Sequence, residues 1–336
     1  MRRLKCIVKV MVVAVLIPTT FCCNKVNDTQ NPTITVSTMA GSTKGFADGS
    51  GNIAQFYSPA GVCVDALGNV YVADKDNDMI RKISPSGMVS TLAGSSRGYA
   101  DGSASTAKFF APTGVCVDLD GNVYVADMSN HRIRKITPNG VVSTLAGSSP
   151  GFAEGSGSAA KFYYPVGLCV DLLGNIYVAE EFNNRIRKIT PAGVVSTFAG
   201  SGGGNADGNA STAKFNNPTG ICIDLQGNFY VTDYSSNRIR KITPAGMVST
   251  LAGSTEGFAD GTGTAALFDH PFGLCVDKQG NIYIADMWNS KIRKITPVGE
   301  VSTFTGSVSG SVDGNLNTAL LVVPVASALI LTEIFI

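Results

Sequence analysis

Histidine and tryptophan are scarce in this chain, with two histidines and one tryptophan among 336 residues. A zinc centre built from several converging histidines is therefore excluded. The chain also lacks a Walker loop, a nucleophile elbow, and any paired general acid and base that stands apart from its repeating pattern. These absences favour a non-enzymatic function over an enzymatic one. We therefore predict no catalytic residue, no metal ligand and no cofactor, with calcium left open as the one possible ion.

Charge is also limited, because Asp, Glu, Lys and Arg make up only 15% of the chain and the two signs nearly balance. Residues 1–22 hold four of the basic residues, so the remainder is slightly acidic. A slightly acidic protein has no electrostatic attraction for a phosphate backbone. We therefore expect no nucleic-acid partner. The 38 glycines suit a turn-dense β protein rather than a disordered chain.

The first residues are typical of an export signal. Basic residues precede the short apolar stretch Met11–Ile17, and Cys22 and Cys23 follow it. The apolar stretch is too short to span a bilayer. We predict a lipoprotein-type signal peptide over residues 1–22, lipidation of Cys23 and a polar tether over residues 23–32, with ordinary secretion as the alternative. The expected location is the cell envelope, in the outer membrane or periplasm through the lipid anchor, or outside the cell; a monomer is expected.

A four-part unit organises the rest of the chain. Within residues 112–147, four runs rich in Val, Ile and Thr are separated by turn residues; they are Gly114–Asp118, Asn122–Asp127, Arg132–Thr137 and Val141–Ala146. Branched and aromatic residues fit a pleated surface, and Gly and Asn suit tight hairpins. The unit is therefore predicted to be a four-stranded antiparallel meander.

The unit recurs every 53 residues. The glycine that enters its first strand is found at Gly61, Gly114, Gly167, Gly220 and Gly273. A four-stranded sheet must bury both faces, so repeated units are expected to close into a β-propeller, with a solenoid as the less favoured alternative. Five complete blades are predicted at about residues 61–94, 114–147, 167–200, 220–253 and 273–306. A sixth is predicted to be split between residues 33–42 and 324–336, so that the domain spans residues 33–336.

The pattern Pro-x-Gly-Val-Cys-Val-Asp-x-x-Gly-Asn-Val-Tyr-Val-Ala-Asp-x-x-Asn-x-x-Ile-Arg-Lys-Ile resembles the NHL repeat, the unit of six-bladed propellers. The resemblance covers residues 33 to about 319 and implies an all-β, six-bladed propeller. The NHL family includes protein-binding and RNA-binding modules, extracellular receptor domains and a few lyases or lactonase-like enzymes. The favoured function is a binding or scaffolding module for a protein, peptide or glycan. The alternative is a metal-assisted lactonase- or lyase-like enzyme, whose channel-mouth ion would be held by Asp127, Asn130, Glu180 and Asn183.

Several residues recur in every blade, and we interpret them as structural. The cysteines of the innermost strands are interpreted as core residues too far apart for disulfides; they are Cys63, Cys116, Cys169, Cys222 and Cys275. The Asp before each Gly-Asn turn is interpreted as a turn residue. The Arg-Lys pairs of the third strands, such as Arg134-Lys135, are interpreted as solvated charge with packed alkyl stems. The phenylalanines such as Phe109 and Phe215 are predicted to pin the crossing segments to the blades.

The loop between the second and third strands varies from blade to blade, unlike the framework. It carries the only tryptophan, Trp288, together with Phe182 and Tyr234. Aromatic side chains beside amides and carboxylates suit the binding of sugar rings or peptides. Neutral variation of a solvent loop is the alternative. The predicted binding-face residues are Phe182, Tyr234, Trp288, Asp127, Asn130, Glu180, Asn183 and Asn289.

The repeat stops abruptly after Ala319. Residues 325–336 contain no Gly-Asn turn, although the genetic code lets a neighbouring reading frame spell Gly-Ile-Cys-Ile-Asp at positions 326–330. That is the blade-opening sequence, in register with the preceding repeat. We therefore expect a frameshift near Ala319 to have replaced the first strands of the sixth blade.

Overall fold

The computed structural model of the chain describes residues 10–12 and 35–321. Cys23, the predicted tether over residues 23–32 and the segment 324–336 lie outside these described residues, and so does the segment predicted to follow a frameshift beyond residue 321. Among the described residues, no helix is long and apolar enough to cross a membrane.

The described chain folds into five similar antiparallel sheets, which are five blades of a β-propeller. The innermost strands are Pro59–Val64, Pro112–Val117, Pro165–Val170, Pro218–Ile223 and Pro271–Val276. The second strands are Val70–Asp74, Val123–Asp127, Ile176–Glu180, Phe229–Asp233 and Ile282–Asp286. The third strands are Met79–Ile83, Arg132–Ile136, Arg185–Ile189, Arg238–Ile242 and Lys291–Ile295. The fourth strands are Met88–Ala93, Val141–Gly147, Val194–Ala199, Met247–Ala252 and Glu300–Thr305.

The prediction of four strands per blade was wrong by one short strand. Each crossing segment adds two residues to the outer edge of the next fourth strand; these additions are Gly49–Ser50, Gly102–Ser103, Gly155–Ser156, Gly208–Asn209 and Gly261–Thr262. In the second blade, Gly102 pairs with Val142 and Ser103 with Val141. The addition covers the hydrogen-bonding edge of the fourth strand, which would otherwise face solvent.

The described residues also form five short 3-10 helices: Lys75–Asn77, Met128–Asn130, Gly157–Ala159, Tyr234–Ser236 and Gly263–Ala265. Three of them follow a second strand directly. Each of these three ends at a residue with positive φ, such as His131 at 57°. They turn the chain from the second strand into the third.

The turn between the first and second strands is held by its aspartate, as the sequence predicted. In the second blade, one carboxylate oxygen of Asp118 accepts the Asn122 N–H at 2.8 Å, and the other accepts the Asn122 amide and the Tyr124 hydroxyl. Gly121 has φ +79°, a conformation that glycine adopts without strain. The aspartate is therefore a turn residue, and its oxygens are already occupied by protein donors.

The hydrophobic core lies between neighbouring blades. In one cluster, Cys116 and Ile133 of the second blade pack with Phe162, Leu168 and Val178 of the third. Phe162 and its counterparts in the other blades are fully buried; they are Phe56, Phe109, Phe215 and Phe268. This burial confirms the packing role predicted for the phenylalanines. The sheets are thus stabilised by apolar area that each blade shares with the next.

The innermost strands meet around a central cavity of about 70 Å³, which is lined by the five repeated glycines among other residues. At Gly114, a Cβ atom would lie 2.2 Å from the Val166 carbonyl oxygen of the next blade. At Gly167, it would lie 2.2 Å from the Thr219 carbonyl oxygen. Backbones therefore approach so closely at the channel that only glycine fits there.

A partial sheet joins the two ends of the described chain. Its central strand, Thr35–Ala40, pairs with Gly314–Asn315 in the way that each fourth strand pairs with its outer addition. Thr38 is bonded to the Asp313 carboxylate through both its N–H and its hydroxyl. The other edge of Thr35–Ala40 pairs with Val10–Val12, from the segment predicted to be a signal peptide, at the position of a third strand.

Candidate binding face

The strand order of each blade determines which loops lie together. Because the strands are antiparallel, the loops between second and third strands share one edge with the segments that enter the first strands. We name this edge the loop face; it comprises residues 75–78, 128–131, 181–184, 234–237 and 287–290 with 57–58, 110–111, 163–164, 216–217 and 269–270. The opposite edge, the hairpin face, carries the turns after the first strands.

Four rings form an aromatic group on the loop face between the second and third blades, here the Tyr163 cluster: His131, Tyr163, Tyr164 and Phe182. The Phe182 ring centroid lies 5.1 Å from Tyr163 and 4.9 Å from Tyr164. His131 is 5.1 Å from Tyr164, with the planes nearly perpendicular. Phe182 is 45% exposed and Tyr163 38% exposed. The cluster therefore offers apolar rings to solvent on a preformed support.

A second aromatic group, the Trp288 cluster, lies between the fourth and fifth blades and comprises Tyr234, His270, Phe272 and Trp288. The His270 ring is 4.7 Å from Tyr234 and 5.5 Å from Trp288, centroid to centroid. Trp288 is 65% exposed. An indole that packs on one side and faces water on the other is an amphipathic contact surface of the kind found at binding sites.

The loop backbone beneath the rings is fixed by hydrogen bonds. The backbone N–H of His270 donates to the Asn237 side-chain oxygen at 2.8 Å. The backbone N–H of Trp288 donates to the Asp269 carbonyl oxygen at 3.2 Å. His270 has φ 53°, a left-handed conformation that bends the chain into the first strand. Burial lowers the pKa of His131, so that ring is neutral at neutral pH.

Two of the predicted binding-face residues, Asp127 and Glu180, are fully buried. The Asp127 carboxylate accepts the Phe110 N–H at 2.8 Å, the Asn130 amide at 2.9 Å and the Arg134 guanidinium at 2.8 Å. Burial raises the pKa of this carboxyl, and these three donors oppose the rise. The predicted contact of these carboxylates with a ligand or an ion does not fit this placement, because their oxygens already accept protein donors.

The predicted asparagines at the loop face are half-buried and serve the same structural role. The amide nitrogens of Asn130, Asn183 and Asn289 donate to the carbonyl oxygens of Gly98, Gly151 and Gly257. Each also donates to the acidic residue that ends its second strand. They tie the loop to the crossing segment, so their amide N–H groups are already used within the protein. Phe182, Tyr234 and Trp288 remain as candidates.

The interpretation of the third-strand arginines as solvated charge was wrong. Arg134 is fully buried, and so are Arg81, Arg187, Arg240 and Arg293. The Arg134 guanidinium donates to Asp127 and Asp101 and to the carbonyl oxygens of Lys108 and Ala100. It also lies between the rings of Tyr99, at 5.0 Å, and Phe109, at 5.1 Å. Its charge is therefore neutralised inside the blade.

The buried arginines also contact the Asp-Gly loops of the crossing segments, whose carboxylates are candidates for the calcium ion left open above. In the second and fourth blades, Asp101 and Asp207 accept hydrogen bonds from a buried arginine and from a fourth-strand threonine. The guanidinium therefore supplies a positive charge beside each of these carboxylates.

The repeated cysteines pack as predicted. Cys116 and Cys169 are buried, while Cys63 and Cys222 are half-buried, and these four carry free thiols. Burial raises the pKa of the Cys116 thiol well above its ordinary value. A neutral, buried thiol is a poor nucleophile and a poor metal ligand.

Sequence reasoning missed four of the seven Phe, Tyr and Trp residues of the loop face, namely Tyr57, Phe110, Tyr163 and Tyr164. Tyr163 and Tyr164 immediately precede the blade-opening Pro165 and join the Tyr163 cluster. The corresponding residues before the other blade-opening prolines differ in every blade: Tyr57-Ser58, Phe110-Ala111, Asn216-Asn217 and Asp269-His270. This variation is the same signal that singled out the loops at Phe182 and Trp288.

The strand order, the interlocked inner strands and the shared inter-blade core define an all-β β-propeller. Comparison with known families agrees with this class. The NHL repeat model matches residues 56–81, 162–189, 215–242 and 268–295, and the Teneurin NHL domain model matches residues 96–154.

Among curated proteins, the chain is 30% identical over 282 residues to Protein SUPPRESSOR OF QUENCHING 1, chloroplastic, of Arabidopsis thaliana. That match covers 75% of this chain and 26% of the plant protein, so the chain spans about a quarter of that relative's length.

Two solved structures share the fold. A structural genomics protein of unknown function from Bacteroides thetaiotaomicron superposes with a TM-score of 0.64 at 22% identity, over 88% of this chain and 70% of that chain. An auxiliary nutrient binding protein from the same organism superposes with a TM-score of 0.65 at 15% identity, over 86% and 70%. At these identities the likeness extends to the fold alone.

Proposed function

We propose that this protein is a binding or scaffolding module that holds a protein, peptide or glycan ligand on its loop face. The observation that carries the proposal is the pair of exposed aromatic groups, the Tyr163 cluster and the Trp288 cluster. Each has a large ring that is substantially exposed above a hydrogen-bonded support. Such rings supply contact area with little loss of conformational entropy on binding.

The position of these rings outside the repeated core also supports the proposal. Phe182 and Trp288 are 45% and 65% exposed and lie outside the buried core, unlike Phe162 or Phe215, which are fully buried. The core residues recur with the 53-residue period. At the repeat positions of the exposed rings, the residue type changes from blade to blade. The exposed rings are therefore not required for the packing that all blades have in common.

The enzyme alternative receives no support from the residues assigned to it. It requires a channel-mouth ion held by Asp127, Asn130, Glu180 and Asn183. Asp127 and Glu180 are bonded to the buried Arg134 and Arg187, and the two asparagines donate to those carboxylates.

A screen of the protein on glycan and peptide arrays tests the loop face. We expect the wild-type chain to capture members of one ligand class, and we expect the Phe182→Ala, Trp288→Ala double variant to lose that capture. Truncation of exposed aromatic contact residues weakens binding by about 2–4 kcal/mol, or roughly thirtyfold or more. The melting temperature of the double variant should stay close to that of the wild type, because the two rings support little of the core.

A matched control comes from the hairpin face. Leu172 and Leu225 are 83% and 75% exposed at the turns after two first strands. The Leu172→Ala, Leu225→Ala double variant removes comparable exposed apolar side chains from the other edge and should retain capture. Loss of capture by this variant, with retention by the aromatic variant, would place the ligand on the hairpin face and contradict the proposal.

The ring of the proposed module contains six blades, the last formed by both ends of the chain. In the second blade, Thr144 is bonded to Asp101, 43 residues earlier. Thr38 is bonded to Asp313 in the same manner. If the position of Thr38 is shifted forward by six 53-residue periods, it again lies 43 residues after its aspartate. This register supports six blades rather than five.

Export and anchoring through Cys23 complete the proposal and place the loop face outside the cytoplasm. The support is the basic and apolar pattern of residues 1–22 followed by cysteine. Mass spectrometry of detergent-extracted protein should show a chain that begins at Cys23 and carries acyl mass. An unmodified chain recovered in the aqueous fraction would contradict the anchor, and Cys23→Ser would then leave the location unchanged.

A further inference from the structure

The fifth blade carries a group of potential metal ligands on the loop face. One ligand atom each from Glu256, Asp269 and His270 lies within 4.8 Å of the other two. Tetrahedral ligands of a zinc-sized ion are about 3.3 Å apart, given metal–ligand bonds of roughly 2.0–2.1 Å. Small side-chain rotations therefore suffice to bring the three atoms around one ion.

The repeat framework explains why these side chains converge. Glu256 forms a β-bridge with Phe268, which is fully buried, so residue 256 lies beside residues 269 and 270. The Asp269 N–H donates to the buried Asp286 carboxylate at 2.8 Å, and the His270 N–H donates to Asn237 at 2.8 Å. The backbone beneath both residues is thus fixed before any ion arrives.

The same place in the first two blades holds a cation that belongs to the chain. Lys44 lies over the Tyr57 ring, with its Nζ 3.7 Å from the centroid. Arg97 lies over the Phe110 ring at 4.9 Å and pairs with Asp78. In the fifth blade, the corresponding residues are an acid facing an acid and a histidine. The position that holds a lysine or arginine side chain in the first two blades is therefore occupied here by a glutamate.

The two carboxylates of this group have no lysine or arginine partner among the described residues. Glu256 and Asp269 form no ion pair with a lysine or arginine anywhere in residues 35–321; the partner of Asp269 is His270, whose Nδ1 is 2.6 Å from its carboxylate. These two atoms already lie side by side, as two ligand atoms of one ion do. Imidazole nitrogen with carboxylate oxygen favours zinc-class ions over calcium and magnesium, which prefer oxygen alone.

We propose that Glu256, Asp269 and His270 bind one divalent transition-metal ion of the zinc class beside Trp288. The site adds a charged contact to the Trp288 cluster, although it stands or fails independently of the ligand-binding function. It occurs in one blade, because no other blade combines these three residue types at these positions.

Titration calorimetry of the full, chelator-treated chain with ZnCl2 tests the site. We expect one ion per chain, and we expect His270→Ala and Asp269→Asn each to weaken binding about tenfold or more. The matched control is His131→Ala, which removes the only other histidine and should leave zinc binding unchanged. CaCl2 should produce no comparable binding. Should His270→Ala fail to fold, Asp269→Asn makes the same comparison with a nearly isosteric side chain.

The single tryptophan provides a second readout on the wild-type chain. Trp288 lies 5.5 Å from His270, ring centroid to centroid, so Co²⁺ at the site should quench its fluorescence in a saturable manner. Absence of both stoichiometric zinc binding and saturable quenching would overturn the proposal. Equal zinc affinity in the wild type and the folded His270→Ala and Asp269→Asn variants would overturn it as well.

Discussion

Replacing Arg134 with alanine is expected to lower the free energy of unfolding by about 3–5 kcal/mol, the usual cost of breaking a buried ion pair. The fully buried guanidinium makes two ion pairs and donates to two carbonyl oxygens. Its removal leaves Asp127 as a buried carboxylate without its cation and deprives Tyr99 and Phe109 of the group between them. Urea unfolding followed by circular dichroism measures the loss.

The neighbouring lysine is the control for this experiment. Lys135 carries the same charge one residue later but is half-buried, with its Nζ 5.6 Å from the Tyr124 ring centroid. Lys135→Ala should cost less than about 1 kcal/mol. A similar small loss for both variants would show that the arginine does not hold the blade together.

Replacing Gly167 with alanine is expected to destabilise the ring by at least the roughly 1–3 kcal/mol that overpacking costs in a core. The added Cβ would lie 2.2 Å from the Thr219 carbonyl oxygen and 3.1 Å from the Gly220 Cα. Both obstacles are backbone atoms of the next innermost strand, so no side-chain rotation relieves the clash. The two blades must separate at the channel.

Gly203 is the matched control for Gly167. An alanine Cβ there would lie 3.6 Å from the Asn184 amide nitrogen, which is an ordinary contact. Gly203→Ala should therefore change the unfolding free energy by no more than about 0.5 kcal/mol. Equal effects of the two substitutions in urea titrations would contradict the close approach of neighbouring strands at the channel.

The propeller class was predictable from sequence because its signals are periodic. Branched residues, Gly-Asn turns and the glycine at the channel recur in register, and each repeat confirms the others. The short outer strand at Gly102–Ser103 was missed, since two residues that include glycine have no strand pattern of their own. Its pairing depends on a neighbouring strand that lies about 40 residues away in the chain.

The sequence analysis was wrong at the site about the burial of charged residues. Arg134 and Asp127 both resemble surface residues in sequence, because a single charged residue is seldom buried. Each is buried only because the other lies seven residues away on the adjacent strand. That pairing depends on the register of two strands, which a single sequence does not show directly. The exposure of Trp288 and Phe182 requires only that they lie in a loop between two strands. The exposure of the aromatic side chains was therefore easier to predict than the burial of the charged ones.

The most direct test of the loop face is amide hydrogen exchange on the wild-type chain, with and without the ligand selected on the arrays. We expect slower exchange in residues 181–184, 234–237 and 287–290 when the ligand is bound. We expect no change in the hairpin turns at residues 172–175 and 225–228. Protection confined to those turns, with the loops unchanged, would contradict the claim that this propeller binds its ligand through the loop face.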